Sequence, residues 1–425
     1  MPKWEMATPS TGWRMRQGIP RRRGRAAGPS PPRAAPRAAH RAAAERPWKT
    51  RSASRRGAAR WSGSFRHAGL DGAPVSAQRG EPPPMTTLAL ILGCAGRTLS
   101  AEEAAFFRAV QPWGFILFKR NIGTPEEVRA LTASLRDTVG RADAPILIDQ
   151  EGGRVQRMGP PHWRAYPAAA RFLQAGGPEE GPALARLGAR LMAHDLAGVG
   201  ISVDCAPVLD VPVAGANAVI GDRAYADDPR EVAAFGRAVA EGLMAGGVLP
   251  VIKHVPGHGR ANADSHLALP VVTAPRAALE AQDFAPFRAL ADLPLAMSAH
   301  VVFTALDPEQ PATTSATVIR EVVRGALGFD GLLMTDDLSM KALSGSFRGR
   351  TEAAFRAGID VALHCNGERA EMEEVAAAAP GLAGDALRRA EAALARRIPA
   401  NPDFDPAEAA ARLEAGLRMR PSAVA

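Results

Sequence analysis

Residues 114–148 read GFILFKRNIGTPEEVRALTASLRDTVGRADAPILI, a strand-helix-strand pattern that recurs along the chain. The two ends of this stretch, 114–118 and 145–148, are continuous apolar runs of strand length. The segment between them repeats apolar residues every three or four positions after Pro125 and two glutamates, which predicts a helix over 125–138. Alternation of strand and helix predicts neighbouring parallel strands in one sheet.

The same alternation continues on both sides of this stretch. Six further apolar runs of strand length occur at 88–92, 200–203, 248–252, 295–298, 331–335 and 360–363. Helical spacing is clearest at 182–197, 229–245 and 276–290. Continuous apolar strands are expected where helices cover the sheet, and eight such units are typical of a (β/α)8 barrel. An open dinucleotide-binding sheet is disfavoured because no GxGxxG follows the first run. We therefore predict an α/β fold with a single TIM-type barrel.

The positive charge of the chain is concentrated at its start. The 425 residues include 52 Lys and Arg against 44 Asp and Glu, but residues 1–84 alone hold 18 of the former and 4 of the latter. Residues 85–425 are therefore net acidic, and we predict no nucleic-acid partner. The stretch 1–84 is rich in Arg, Pro and Ala without apolar periodicity, which predicts a disordered extension. We expect Met85 to be the true start and 85–425 to form the catalytic barrel, finished by a helix from Asp385 to Arg397.

The apolar stretches and the cysteines of the sequence predict the compartment of the protein and the state of its thiols. No apolar stretch of signal-peptide or transmembrane length follows the arginines of the first segment. The three cysteines, Cys94, Cys205 and Cys365, form no CxxC pair and lie in or beside apolar runs. We predict a cytoplasmic protein without a membrane partner, whose thiols are buried and inert.

Polar residues directly after two predicted strands are candidates for chemistry, since active sites of barrels lie at the carboxyl ends of their strands. Residues 149–157, DQEGGRVQR, carry four charged groups around a glycine pair. This loop suits either the binding of a polar ligand, which the glycines would let approach closely, or an internal ion-pair cluster. Asp336 and Asp337 follow the seventh run. One could attack a carbon centre and the other cap a helix, but spacing does not say which.

The densest polar stretch is 253–266, KHVPGHGRANADSH. His254 and His258 are separated by a Pro-Gly pair and cannot share a helical face as zinc ligands do, so a metal site is disfavoured. Asp264 and His266 are better explained as an acid/base pair, in which the carboxylate orients the imidazole and raises its proton affinity. Glycines in the stretch would let such a loop move over a substrate.

Four motifs in this order resemble the family 3 glycoside hydrolases, in their bacterial β-N-acetylhexosaminidase branch. They are IDQEGGRV at 148–155, GDR at 221–223, KHVPGHG at 253–259 with DSH at 264–266, and TDDLSM at 335–340. The resemblance extends from about Met85 to Asn366. Two departures, Val255 and Tyr225 in place of the usual Phe, do not affect the catalytic positions.

The resemblance implies roles for individual residues. Asp336 would be the nucleophile, His266 the general acid/base with Asp264 as its partner, and Asp337 structural. The sugar would be held by the remaining matched positions, which are Asp149, Arg157, Arg223, Lys253 and His254.

The same resemblance implies a retaining enzyme that removes terminal N-acetylglucosamine from cell-wall fragments such as muropeptides, as a monomer without a metal or organic cofactor. Within this class the alternatives are a broader β-glycosidase, attack by the substrate's own acetamido oxygen, and phosphorolysis. Outside it, a sugar-binding barrel without catalysis is the main alternative. That alternative gives no reason for Asp264, His266 and Asp336 to occur together.

Overall fold

The computed structural model describes residues 86–418. The predictions for residues 1–84 and for Met85 lie outside this range. Within it, eight parallel strands, β1 to β8, close into a barrel in which each strand pairs with its neighbours in the chain and β8 pairs with β1. The strands are β1 (Leu88–Gly93), β2 (Pro112–Leu117), β3 (Ile146–Ile148), β4 (Val203–Asp204), β5 (Leu249–Val255), β6 (Leu295–Ser298), β7 (Leu332–Asp337) and β8 (Val361–His364). The predicted barrel is confirmed.

A helix follows every strand, and two more complete the described chain. Their bounds are α1 (Ala101–Val110), α2 (Pro125–Val139), α3 (Ala170–Ala197), α4 (Pro229–Ala245), α5 (276–289, with the π-helical segment Leu279–Asp283), α6 (Val318–Ala326, π-helical), α7 (Phe347–Ala357), α8 (Arg369–Ala378), α9 (Gly384–Ala395) and α10 (Pro406–Arg418). None of these helices is long and apolar enough to span a membrane.

The strands bury both faces, as continuous apolar runs require. Side chains such as Ile91, Val251 and Met334 fill the barrel interior, whereas Leu90, Ile252 and Leu333 face the helices. The two sets alternate along each strand because successive side chains point to opposite faces. This rigid shell holds the strand ends in place.

Local sequence explains where α2 begins and ends. Thr124 and Glu127 form a reciprocal capping box around Pro125 at the first turn, and the helix ends at Gly140 in the left-handed conformation. The predicted start at Pro125 is correct.

Two predicted boundaries are wrong. The helix predicted from Pro182 begins at Ala170 instead, because a kink at Gly177 (φ 62°) joins two helical stretches. The fourth strand is Val203–Asp204 and shares only Val203 with the predicted run. The helix predicted from Asp385 to Arg397 forms as α9, but it does not finish the described chain, because α10 follows it. Helix α10 packs on α3, where Leu413 is buried and Arg171 donates to the carbonyl of Leu417.

Two small elements at the barrel mouth were not predicted. Residues Gln150–Gly152 pair with Val155–Gln156 in an antiparallel hairpin directly after β3. A three-stranded sheet joins Val271–Val272, Val302–Phe303 and Asp307–Pro311 beyond β5 and β6. All three cysteines are buried and unpaired, as predicted.

Candidate active site

A cavity of about 210 Å³ opens at the carboxyl ends of β3, β5 and β7. It is lined by every residue predicted for the site, which are Asp149, Arg157, Arg223, Lys253, His254, Asp264, His266 and Asp336. A larger cavity of about 650 Å³ lies between α3, α4 and residues 401–412, away from the strand ends. Ionisable side chains converge in the smaller cavity, so it is the candidate active site.

Lys253 lies at the centre of the cavity floor. It is 2% exposed, and its Nζ is 2.9 Å from Oδ1 of Asp149 and 2.7 Å from Oε1 of Glu151. Burial opposes the charged form of Lys253, but the two carboxylates outweigh it and hold the pKa of the ammonium above its ordinary value. The same pairing outweighs burial at Asp149 and Glu151 and lowers the pKa of each carboxyl. The floor is therefore charged at neutral pH.

Two arginines extend this network on either side. Nε and Nη2 of Arg223 each lie 2.8 Å from an oxygen of Glu151, a bidentate pair in which both side chains are nearly buried. Nη2 of Arg157 donates to Oδ2 of Asp149 at 3.1 Å, with about a quarter of the arginine side chain exposed. The ion-pair cluster, one of the two alternatives left open for residues 149–157, is present and forms the floor of the cavity, whereas the binding of a polar ligand there stays a prediction.

The glycine pair of residues 149–157 forms a tight turn. Gly152 and Gly153 have φ values of 91° and 56° and form the tip of the hairpin after β3. A Cβ on Gly153 would lie 2.7 Å from Cβ of Ala168, and its N–H donates to the carbonyl of Tyr166. The expectation that these glycines let a ligand approach the backbone stays a prediction. Close packing on residues 166–168 requires them.

His254 is oriented by a carboxylate that the sequence analysis missed. Nδ1 of His254 is 2.7 Å from Oδ2 of the fully buried Asp210, and Oδ1 of Asp210 accepts the backbone N–H groups of His254 and His258. Burial opposes ionisation of Asp210, yet His254 and these donors keep the pKa of its carboxyl below the usual value. Asp210 fixes the ring of His254 and the start of the following loop.

Neighbouring residues Asp336 and Asp337 have different surroundings. Oδ1 of Asp337 accepts the N–H groups of Ser339 and Cys365, and its Oδ2 accepts the hydroxyl of Ser339. Asp336 lines the cavity, and the hydrogen bond it receives comes from the N–H of Asp337. Burial opposes its ionisation, but the nearby His254 and His300 hold the pKa of the Asp336 carboxyl below its ordinary value. Of these two neighbours, Asp336 is the ionised carboxylate that faces the cavity.

Asp264 and His266 form a compact turn at the open side of the cavity. Oδ1 of Asp264 accepts both the backbone N–H and Nδ1 of His266, each at 2.9 Å. Two thirds of the His266 side chain is exposed. With Nδ1 facing the carboxylate, Nε2 is left to exchange a proton with a ligand. The geometry suits the acid/base pair predicted from the sequence.

The glycines of 253–266 are not exposed hinges. Gly257 and Gly259 are buried, and a Cβ on Gly259 would lie 1.9 Å from the carbonyl oxygen of Val211. His258 is also buried, and burial followed by the charge of His254 lowers its pKa to about 4. The first half of this stretch is therefore packed against the barrel, and only its second half is open.

The described part of the chain contains no set of side chains arranged to bind a metal ion. No group of three or more His, Cys, Asp or Glu side chains among residues 86–418 has the geometry to hold an ion. His254 and His258 lie edge to face with their ring centroids 5.6 Å apart, but Asp210 occupies Nδ1 of the first.

This barrel, with an ionised carboxylate, a His-Asp pair and a charged floor around one small cavity, defines a hydrolase of the carboxylate-dependent barrel class. The chain belongs to glycosyl hydrolase family 3. Its residues 90–396 match the N-terminal domain of that family. The predicted family and enzyme class, a glycoside hydrolase, are confirmed.

Relatives within the family are named for one activity. The chain is 41% identical over 282 residues to the beta-hexosaminidase of Alkalilimnicola ehrlichii, covering 65% of this chain and 80% of the relative. It is 40% identical over 286 residues to the beta-hexosaminidase of Xylella fastidiosa, covering 66% and 84%. Among solved structures, NagZ from Neisseria gonorrhoeae in complex with N-trifluoroacetyl-D-glucosamine superposes with a TM-score of 0.68 at 29% identity, covering 79% of this chain and 98% of that one.

Proposed function

We propose that this chain is a retaining β-N-acetylhexosaminidase that removes terminal N-acetylglucosamine through a covalent glycosyl-Asp336 intermediate. The observation that carries the proposal is the contrast between two adjacent carboxylates. Asp337 is occupied by Ser339 and Cys365, whereas Asp336 faces a cavity that also contains the Asp264–His266 pair. A carboxylate free to act as nucleophile and an imidazole that can exchange a proton, both on the same cavity, are what double displacement requires.

The reaction has two displacements. In the first, an oxygen of Asp336 forms a bond to the anomeric carbon while the bond to the leaving oxygen breaks, and His266 transfers a proton to that oxygen. In the second, His266 takes a proton from water as the water attacks the anomeric carbon, and the bond to Asp336 breaks. Each step inverts the carbon, so the configuration is retained overall.

The floor of the cavity is suited to the sugar hydroxyls. Asp149 can accept from hydroxyl groups, while Lys253 and Arg157 can donate to them, and their mutual pairing fixes these atoms before the sugar arrives. His254 lies beside Asp336, with its ring fixed by Asp210. The N-trifluoroacetyl-D-glucosamine complex of the Neisseria relative supports an acetamido sugar as the ligand.

The natural substrate proposed is a cell-wall fragment, a GlcNAc-containing muropeptide, acted on in the cytoplasm by a monomer. The cation available to an anionic fragment is Arg157, because Arg223 is committed to Glu151 in a nearly buried pair. The assignment rests on the resemblance of the motifs to the bacterial β-N-acetylhexosaminidase branch and on the openness of the cavity near His266.

A comparison of aryl β-GlcNAc and aryl β-glucoside tests this function on residues 85–425, beside Asp336→Ala. The proposal expects cleavage of the acetamido sugar to exceed that of the glucoside, and loss of both in the variant. Equal cleavage of the two sugars would favour the broader β-glycosidase. A product that appears as sugar phosphate when phosphate is added would favour phosphorolysis.

A further inference from the structure

The turn that carries Asp264 and His266 is held together from within. The carboxylate of Asp264 accepts two bonds from His266, and the carbonyl of Asp264 accepts the N–H groups of Leu267 and Ala268. These bonds fix the shape of the turn, but none of them attaches it to the barrel. The position of His266 relative to Asp336 must be set by other contacts.

Ser265 supplies those contacts. Its side chain is 3% exposed, although both of its neighbours reach the surface. Its hydroxyl is 3.1 Å from Nε2 of His258, and its carbonyl accepts the N–H of Ala342 at 3.1 Å. Within the described chain, these are the two hydrogen bonds that tie residues 263–269 to anything outside them.

The two partners of Ser265 lie on the segments that carry the rest of the site. His258 is buried, and its backbone N–H is bound by the same Asp210 that orients His254. Ala342 lies in the loop after β7, six residues beyond Asp336. Ser265 thus links the turn that carries Asp264 and His266 to the loop that follows Asp336, and to His258, which shares Asp210 with His254.

We propose that Ser265 is a positioning residue, whose bonds to His258 and Ala342 hold the Asp264–His266 turn over Asp336. The inference rests on the proposed function and adds a residue to which no role has been assigned. Burial keeps the imidazole of His258 neutral at neutral pH, so this connection stays an uncharged hydrogen bond over the working range. Loss of the serine hydroxyl would leave the chemical groups in place but let the turn shift.

A shift of the turn should impair proton transfer by His266 more than the other steps of the reaction. An error of about 1 Å in the position of a catalytic group can cost about a hundredfold in rate. In Ser265→Ala the loss should fall on substrates whose leaving group needs a proton from His266. Activated aryl glycosides need no such proton in the first displacement, so their kcat/KM should stay unchanged.

Ser202→Ala is the matched control. Ser202 is also 2% exposed and accepts one hydrogen bond, from the N–H of Ile146, but it lies at the start of β4, at the other end of the barrel. Its loss should lower thermal stability by an amount similar to that in Ser265→Ala. It should not change the ratio of kcat/KM values between poor and activated leaving groups.

The test measures kcat/KM for a disaccharide and for an activated aryl β-GlcNAc in wild type, Ser265→Ala, Ser202→Ala and His258→Gln. The inference expects a tenfold to hundredfold loss on the disaccharide alone for Ser265→Ala, with a smaller loss of the same kind for His258→Gln. Equal losses on both substrates, or none, in folded Ser265→Ala would overturn it. If Ser265→Ala does not fold, His258→Gln decides in the same way, since it alters the same bond from the other side. Failure of wild type to form a glycosyl-Asp336 species would instead overturn the proposed function.

Discussion

The floor of the cavity and its open rim are built in opposite ways. In the floor, Asp149 and Glu151 from the end of β3 and Lys253 from β5 are nearly buried and satisfy one another through short ion pairs. In the rim, Asp264 and His266 are two residues apart, are partly exposed and bond mainly to each other. Rigidity in the floor suits binding, and a locally formed turn suits a group that must exchange protons with substrate and water.

The largest effect is expected from Asp336→Ala. Removal of the proposed nucleophile should lower kcat by about 10⁴-fold or more with little change in stability, because the one hydrogen bond that its side chain accepts comes from the adjacent N–H. Asp337→Asn is the comparison, since its carboxylate bonds to Ser339 and Cys365. That variant should lose about 1–3 kcal/mol of unfolding free energy in denaturant titration. The reverse pattern would exchange the roles of the two aspartates.

The next largest effect is expected from a substitution in the rim. His266→Gly should reduce kcat/KM by about 10²- to 10⁴-fold for substrates with poor leaving groups and much less for activated aryl glycosides, because only the former need a proton. Thermal unfolding should be nearly unchanged, since two thirds of the side chain is exposed. Similar losses on both kinds of substrate would count against the acid/base role.

Breaking the floor should cost stability as well as binding. Lys253→Met leaves Asp149 and Glu151 without their shared cation, and removal of one partner from a buried ion pair costs about 3–5 kcal/mol. We expect a lower denaturation midpoint and a higher KM. A variant as stable as wild type would mean that the ion pairs of Lys253 do not stabilise the fold.

The pH dependence of stability gives a weaker test of the same network. The pKa values of Asp149 and Glu151 are lowered in the folded state, so their contribution is complete above the unfolded values of about 4 and is lost as pH falls through the folded values. Unfolding free energy should therefore decline below about pH 4 in wild type. The decline should be shallower in Lys253→Met, as urea titrations across this range would measure.

The smallest effect is expected at the tip of the rim. Leu267 is 69% exposed, so Leu267→Ser should change stability by less than about 0.5 kcal/mol. The matched change Leu243→Ser replaces a fully buried side chain of α4 with a polar one and should unfold the protein or cost several times as much. Comparable losses would show that Leu267 is covered in solution.

Sequence pattern predicted most of the barrel because continuous apolar strands and proline-initiated helices are local signals. Residues 229–245 show this best, since the predicted and observed helix bounds coincide. The start of α3 was placed at Pro182 because a proline commonly opens a helix, yet helical stretches lie on both sides of the kink at Gly177. The hairpin of residues 150–156 was missed because three-residue strands made of Gln, Glu and Gly carry no apolar alternation.

The candidate site was predicted where motifs supplied it and missed where partners are distant in the chain. Asp210 follows the apolar stretch at 206–209, so it would have been considered had the fourth strand been expected to continue to Leu209. Glu151 was noticed but given no role, because its pairing with Arg223 joins residues 72 positions apart. Ser265 carried no signal at all, since a serine between two proposed catalytic residues is interpreted as a spacer until its burial is known.

Covalent trapping tests the central claim most directly. Residues 85–425 would be incubated with a 5-fluoro N-acetylglucosaminyl fluoride, which slows both displacements, and then digested and analysed by peptide mass spectrometry. The account predicts one added sugar on the peptide containing Asp336, with the label placed on Asp336 by fragmentation and absent in Asp336→Ala. Turnover with no covalent sugar, or a label on another carboxylate such as Asp337, would contradict it.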